Sequence, residues 1–165
     1  RRFRPPGAPE GRSLIRSLKL GELNELFELY AHYTEEENRS ALSAERMEEV
    51  WREIERNPGV HYFVTELEGR LTAACILTIT PSIIRGGMGY GLIEHVVTHR
   101  NFRRRGLAKT LMEYVLEFAW AQGCTEVMLL SGHDLGPAHA MYEGLDFDKE
   151  QRTGFIKFRP PDYKP

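Results

Sequence analysis

The 165 residues include only two cysteines, Cys75 and Cys124, and they lack C-x-x-C spacing. Nothing in their placement makes a redox pair, so a reducing cytoplasm is the expected setting. Each reads as a small buried hydrophobe before it reads as a nucleophile. An excess of charge of one sign is also missing, because 22 lysines and arginines stand against 24 acids. With no whole-molecule field to draw the chain to nucleic acid or a membrane surface, any anion site must be local. The sequence has no apolar run of 18 residues, no secretory signal pattern, no internal repeat and no low-complexity tract.

What is present suits one globular domain with a well-buried core, since 41% of the residues are hydrophobic. Residues 1–12 are rich in Arg, Pro and Gly without apolar periodicity and read as a mobile arm or an artefact of expression; residues 13–160 are the domain and 161–165 a tail. LIRSL alternates like a first strand, and GELNELFELYAHY places Leu23, Leu26, Phe27 and Tyr30 on one helical face. After the loop TEEENRSAL, Ser43 precedes a helix whose stripe is Met47, Val50, Trp51 and Ile54, stopped by Asn57, Pro58 and Gly59. VHYFVTEL and LTAACILTIT form a hairpin through Glu68, Gly69 and Arg70, and GLIEHVVTH is a further strand.

A long helix follows with Leu107, Leu111, Val115, Phe118 and Ala119 inward, and Gly123 closes it. TEVMLLSG reads as a strand covered on both faces, which makes a right-handed parallel βαβ unit. Pro137 opens a short helix, PAHAMYE, and LDFDKE and GFIKF read as a last pair of strands.

The stretch HRNFRRRGLAKTL (residues 99–111) packs four arginines and a lysine against the start of that long helix. Cations at the positive end of a helix dipole are each opposed by about 0.3–1 kcal/mol, so an anion is expected there. A Rossmann turn requires three glycines and finds one, and a Walker A loop requires glycines where Arg103 and Ala108 stand. The pattern Q/R-x-x-G-x-G/A is met at every fixed position by Arg103, Gly106 and Ala108. Together with IEHVVTH before it and GCTEVMLLSG and HAMYEGLDF after it, the turn resembles the pyrophosphate-binding turn of the GNAT acetyltransferases.

The resemblance spans residues 14–158 and implies an α/β fold: a mixed, mostly antiparallel sheet with one parallel βαβ unit and about four flanking helices. It implies acetyl-CoA as donor substrate, with no metal, no nucleic acid and no membrane partner; homodimers are a family habit. By the same resemblance Val96, Val97 and Thr98 offer backbone groups to the pantetheine arm. Arg103, Arg104, Arg105, Gly106, Leu107, Ala108 and Lys109 hold the pyrophosphate, mostly through amides, and Tyr142 matches the family's tyrosine. Two departures stand out: Asp146 where Gly is common before the final Phe, and His95 within IEHVV where Asn is commoner. Asp tolerates unusual backbone angles better than most residues, so the turn at Asp146 is expected to survive.

An alkyl amine with a pKa near 10 is neutral about once in a thousand molecules at neutral pH, a gap of about 4 kcal/mol that a positioned base partly closes. Glu94 interrupts an apolar strand just before the loop, as in the Glu-Asp/Asn-Val-Val strand of glucosamine-phosphate acetyltransferases; it is the candidate base, directly or through water, or else it pairs with a nearby arginine. Tyr142 is the candidate acid for the departing thiolate, or else a core aromatic. The Val97 amide is positioned by the resemblance to polarise a thioester carbonyl. His95, His99, His133 and His139 find no carboxylate or Cys to complete a zinc set, and Glu35, Glu36 and Glu37 form an acidic run that is either solvated or attracts a cationic amine. The expected activity is acetyl transfer to a primary amine of a small molecule in a ternary complex. The other readings are an aminosugar-phosphate acceptor, a peptide N-terminus, an acyl-CoA sensor without turnover, and nucleic-acid binding through the arginines.

Overall fold

A computed structural model describes residues 13–32, 42–84, 86–160 and 162. The expected N-terminal arm, the acidic run at Glu35, Glu36 and Glu37, and nearly all of the tail lie outside these residues. The chain divides into two compact units, one ending at Leu129 and one starting at Leu130.

The first unit carries β1 (Leu14–Ser17), α1 (Leu23–Tyr30), α2 (Ala44–Glu55), β2 (Val60–Leu67), β3 (Arg70–Thr80), β4 (Gly89–Thr98), α3 (Leu107–Ala121) and β5 (Cys124–Leu129). Its strands lie in the order β1-β2-β3-β4-β5; the first three pairings are antiparallel and β4 with β5 is parallel. The sheet is therefore mixed, with α3 as the crossover of the one parallel unit, as expected. The second unit carries α4 (Gly136–Glu143), opened by a proline in its first turn.

Local chemistry explains most boundaries. The Ser43 hydroxyl accepts the Arg46 N–H at 3.2 Å and caps α2. Beyond α2, the Asn57 side chain accepts the Gly59 N–H at 3.0 Å and turns the chain into β2. Leu67 pairs with Arg70, and between them Glu68 and Gly69 take φ of 54° and 75°, the left-handed pair that a two-residue hairpin turn demands.

β3 is the central strand, and its residues 71–77 are all buried because both faces are covered. One face packs with α1 and α2 through Leu26, Leu29, Trp51, Val64, Ala74 and Val97. On α3, Leu107, Leu111, Met112, Val115 and Ala119 are buried, and Phe63 meets Tyr114 and Phe118 edge-on at ring distances of 5.5 and 5.0 Å.

Three expectations need correction. Phe27 is 44% exposed whereas Leu29 is 2% exposed, because the buried stripe of α1 runs Leu23, Leu26, Leu29. Phe27 lies about 100° round the helix from the centre of that stripe. β5 is the last strand in the sheet order and is only partly buried along most of its length, so its apolar run did not require cover on both faces. LDFDKE and GFIKF form no strand among the described residues: the first is mostly turn, and the second has no regular structure, with Phe155 93% and Phe158 83% exposed. Apolar alternation permits a strand, but a ladder also needs a neighbour to pair with.

Arg16 ties β1 to its surroundings through a guanidinium shared by Glu22 (2.8 and 2.6 Å) and Glu66 (3.0 and 2.7 Å). The hydrogen bond from Arg16 holds the Glu22 carboxyl below the usual range for Glu. A depressed folded-state pKa stabilises the fold above the unfolded value and is lost as pH falls through the folded value. Glu22→Gln is expected to cost about 1 kcal/mol near neutral pH, discounted for partial exposure. In denaturant titrations the gap between parent and variant should narrow as pH falls from the unfolded glutamate value through the lower folded one; a gap that stays constant over that range contradicts this account.

Candidate active site

β4 and β5 run together only as far as the pair of Ile93 with Leu129. From Glu94 to Thr98, β4 stays paired with β3 and has no strand partner on its β5 side among the described residues. Val96, Val97 and Thr98 thus stand on a strand with an open edge, where the backbone groups that point away from β3 can pair with an extended ligand; the His99 N–H to Thr72 carbonyl bond at 2.9 Å sets a register in which Val97 turns its own N–H and carbonyl to Ala74 of β3. Within the same segment Ala74 pairs with Val97 and Ile76 with Glu94, so β4 takes three steps where β3 takes two. His95, at φ 52°, lies within this bulge.

Glu94 shares a cross-strand row with Ile76 and Tyr62, and Tyr62 packs with the α1 and α2 cluster. The Glu94 carboxylate is accordingly on the helix-covered face that holds α1 and α2, yet exposed. Burial first, and then the Glu94 charge, raise the Tyr62 hydroxyl above the usual tyrosine value. No cation lies within ion-pair distance of Glu94 among the described residues.

Tyr30 was legible only as an apolar stripe residue, but its ring stands edge-on to His95 at 5.8 Å and its buried hydroxyl has no hydrogen-bond partner among the described residues. Burial raises that hydroxyl's pKa further than any neighbouring charge does. The one signal in the sequence was a phenol where leucine would have filled the stripe.

After β4 the chain makes a short turn (Arg100–Phe102), and Arg103 is extended at φ −62° and ψ 158°. Arg104 then takes φ 62° and Gly106 φ 77°, and α3 starts at Leu107. A β-carbon on Gly106 would meet nothing within 4 Å, so backbone angle and not crowding inside the protein calls for glycine. The first helical hydrogen bond is Thr110 N–H to the Gly106 carbonyl at 3.0 Å. The amides of Leu107, Ala108 and Lys109 precede it and face outward at the positive end of the dipole.

Most of the arginines turn away from that end. Arg103 donates to the Thr98 carbonyl at 3.2 Å and the His32 carbonyl at 2.7 Å, and Arg105 lies 5.1 Å over the Phe102 ring. Lys109 stays 4.0 Å from Glu113.

The structure therefore brings Glu94, Val96, Val97 and Thr98 into one strand leading to the 103–109 turn. Tyr142 belongs to the second unit, on α4, where its ring meets Phe147 edge-on at 6.0 Å. The Phe147 N–H donates to the Tyr142 carbonyl at 3.1 Å, and Asp146 between them takes φ 63°, so the turn is kept without glycine. Burial pushes the Cys75 thiol up to about 12 and also raises Cys124, which disfavours the thiolate of both near neutral pH. The His139 ring bonds the Gly132 carbonyl at 2.9 Å, and His99 Nδ1 accepts the Asn101 N–H at 3.2 Å.

The Acetyltransferase (GNAT) family model matches residues 23–147. Glucosamine 6-phosphate N-acetyltransferase of Trypanosoma brucei brucei is 30% identical over 140 residues, 84% of this chain and 90% of the relative. Among solved structures, a putative acetyltransferase from Agrobacterium tumefaciens is 31% identical with a TM-score of 0.80, covering 88% of this chain and 99% of its own. A Trypanosoma brucei acetyltransferase structure is 28% identical with a TM-score of 0.75, covering 89% and 100%. This chain belongs to the GNAT acetyltransferase family and is an N-acetyltransferase.

Proposed function

We propose that the chain moves an acetyl group from acetyl-CoA to a primary amine of a small molecule, by direct attack in a ternary complex. The observation that carries the reading is the open edge of β4 leading straight into the left-handed turn at Gly106. An extended arm bearing a diphosphate fits that combination: strand-like pairing along Val96, Val97 and Thr98, then amides at Gly106, Leu107, Ala108 and Lys109. Arg103, Arg104 and Arg105 serve there chiefly through backbone, since Arg103 is occupied with carbonyls and Arg105 with Phe102. That the family match runs across both units supports treating residues 13–160 as one acetyltransferase domain.

Acetyl-CoA supplies an activated thioester. Glu94 takes the proton from the ammonium of the acceptor, directly or through water; its exposure and lack of a described cationic partner leave the carboxylate available. Tyr142 holds the proton that the leaving thiolate needs, and the HAMYEGLDF match supports this role. Two free, buried thiols suit a reducing cytoplasm, and no helix among the described residues is long and apolar enough to cross a membrane.

For the acceptor, the similarity to the trypanosomal enzyme favours an aminosugar phosphate within the broader class. A thiol-release assay over glucosamine 6-phosphate, simple amines, polyamines and peptide N-termini decides between them. If only peptides respond, the small-molecule reading is wrong.

Gly106→Glu places a carboxylate and an unfavourable φ at the turn, and is expected to abolish acetyl-CoA binding by calorimetry while circular dichroism stays native. Retained binding would refute the diphosphate placement. Glu94→Gln should lower kcat by about 10²- to 10⁴-fold with acetyl-CoA affinity unchanged; a fall in melting temperature with normal kcat would instead make Glu94 structural. Tyr142→Phe should cost about 10²-fold in kcat, less with donors whose leaving thiol is more acidic. An equal loss with every donor removes Tyr142 from the acid role.

A further inference from the structure

His32 follows α1, and its ring lies 4.0 Å, centroid to centroid, from that of His99 at the end of β4. Arg100 Nε donates to His32 Nδ1 at 2.9 Å, and the Asn101 N–H donates to His99 Nδ1 at 3.2 Å. A ring nitrogen that accepts an N–H is unprotonated, so both imidazoles are neutral with hydrogen on Nε2, and each keeps one donor. Arg100 reaches the His32 ring and Arg103 the His32 carbonyl by hydrogen bonds; the charges of both arginines act on both rings, and that of Arg70, at the start of β3, acts on His99. Desolvation, then the neighbouring cations and, for His32, the second imidazole, hold both rings below the usual histidine range.

Among the described residues no carboxylate enters this balance. Glu25 of α1, the acid that reaches the start of β3, accepts the Leu71 N–H at 2.7 Å. None of the three arginines has an acid within ion-pair distance among the described residues. Gathering cations without a counter-charge is unfavourable, and an oxyanion held by guanidinium and imidazole N–H groups reverses the sign of that term. The cluster is built from the chain after α1, the start of β3, and the end of β4. It lies on the β4 side of the Gly106 turn and does not include the helix amides there.

We propose that His32, His99, Arg70 and Arg100 form a binding site for a phosphate monoester, with Arg103 holding its two sides together through the His32 and Thr98 carbonyls. A monoester dianion offers three oxygens to donors that converge from several elements, which suits planar guanidinium and imidazole groups better than a single ammonium would. Two sources carry that chemistry: a phosphate on the acceptor amine, or the ribose phosphate of the coenzyme. The choice between them rests on the acetyl-transfer reading; the site itself does not.

Phenyl phosphate, a monoester with no part in acetyl transfer, is titrated into the whole chain while the His32 and His99 ring resonances are followed by NMR. Saturable shifts are expected, with affinity weakened about tenfold or more in Arg100→Ala. Kinetics then compare acetyl-CoA with its 3′-dephospho form, and glucosamine 6-phosphate with glucosamine. Arg100→Ala should raise KM about tenfold or more for one phosphorylated partner and leave its dephosphorylated counterpart within about twofold. The responding arm names the source.

Absence of saturable shifts overturns the proposal. So do shifts without a phosphate-selective KM change in either arm, which would mean an adventitious ion only. If the chain transfers no acetyl group to any acceptor, the acetyl-transfer reading fails, and the titration alone decides the phosphate site.

Discussion

The parallel pairing of β4 with β5 ends at Ile93, and among the described residues the remaining half of β4 pairs with a strand on one side only. Backbone N–H and C=O groups in a sheet interior need partners, so an edge that opens in mid-sheet is a place where another chain-like molecule can be taken up. The bulge at His95 sits just past the parting and accommodates the extra residue of β4 against β3. β3 makes the arrangement rigid: buried along residues 71–77 and clasped by helices on both faces, it holds the half-free strand in register.

From that edge the chain runs without interruption into the loop before α3, and the loop's charge is deployed against first impressions. Arg103 braces the end of β4 and the chain after α1 by two carbonyls, and Arg105 rests on Phe102. What faces outward at the helix start is backbone N–H and the dipole. Side-chain cations concentrate instead around His32 and His99, on the β4 side of the loop. A nearly neutral protein thus carries two distinct local positive fields within one connection, a contrast that the count of arginines alone conceals.

Much of this was legible from the chain. Alternation, apolar runs bounded by turn residues, and helical periods located β1 to β5 and the four helices, because burial leaves its pattern in the sequence. The caps and turns at Ser43, Asn57, Glu68 with Gly69, and Asp146 followed from residue chemistry. The loop motif pointed to Gly106, and the positive φ there shows why a residue without a β-carbon occupies it. Reading failed where neighbours decide. Phe27 and Leu29 are equally apolar, and only the angle at which α1 meets the sheet chose between them. GFIKF has the pattern of a strand without the ladder.

The candidate site divides along the same line. Glu94, the open strand and the Gly106 turn are contiguous in sequence, so local spacing was enough to group them. Tyr30, Tyr62, His32 and Arg70 come from α1, β2, the chain after α1, and β3; no local period links them to β4. They meet it because antiparallel register puts Tyr62, Ile76 and Glu94 in one row and because α1 packs across that face. The sequence by itself determined the elements, the family and the turn that starts α3, since each is encoded within a few consecutive residues. Which side chains surround Glu94 and His99 was decided by the tertiary structure, because contacts across a sheet depend on register and packing that no single segment contains.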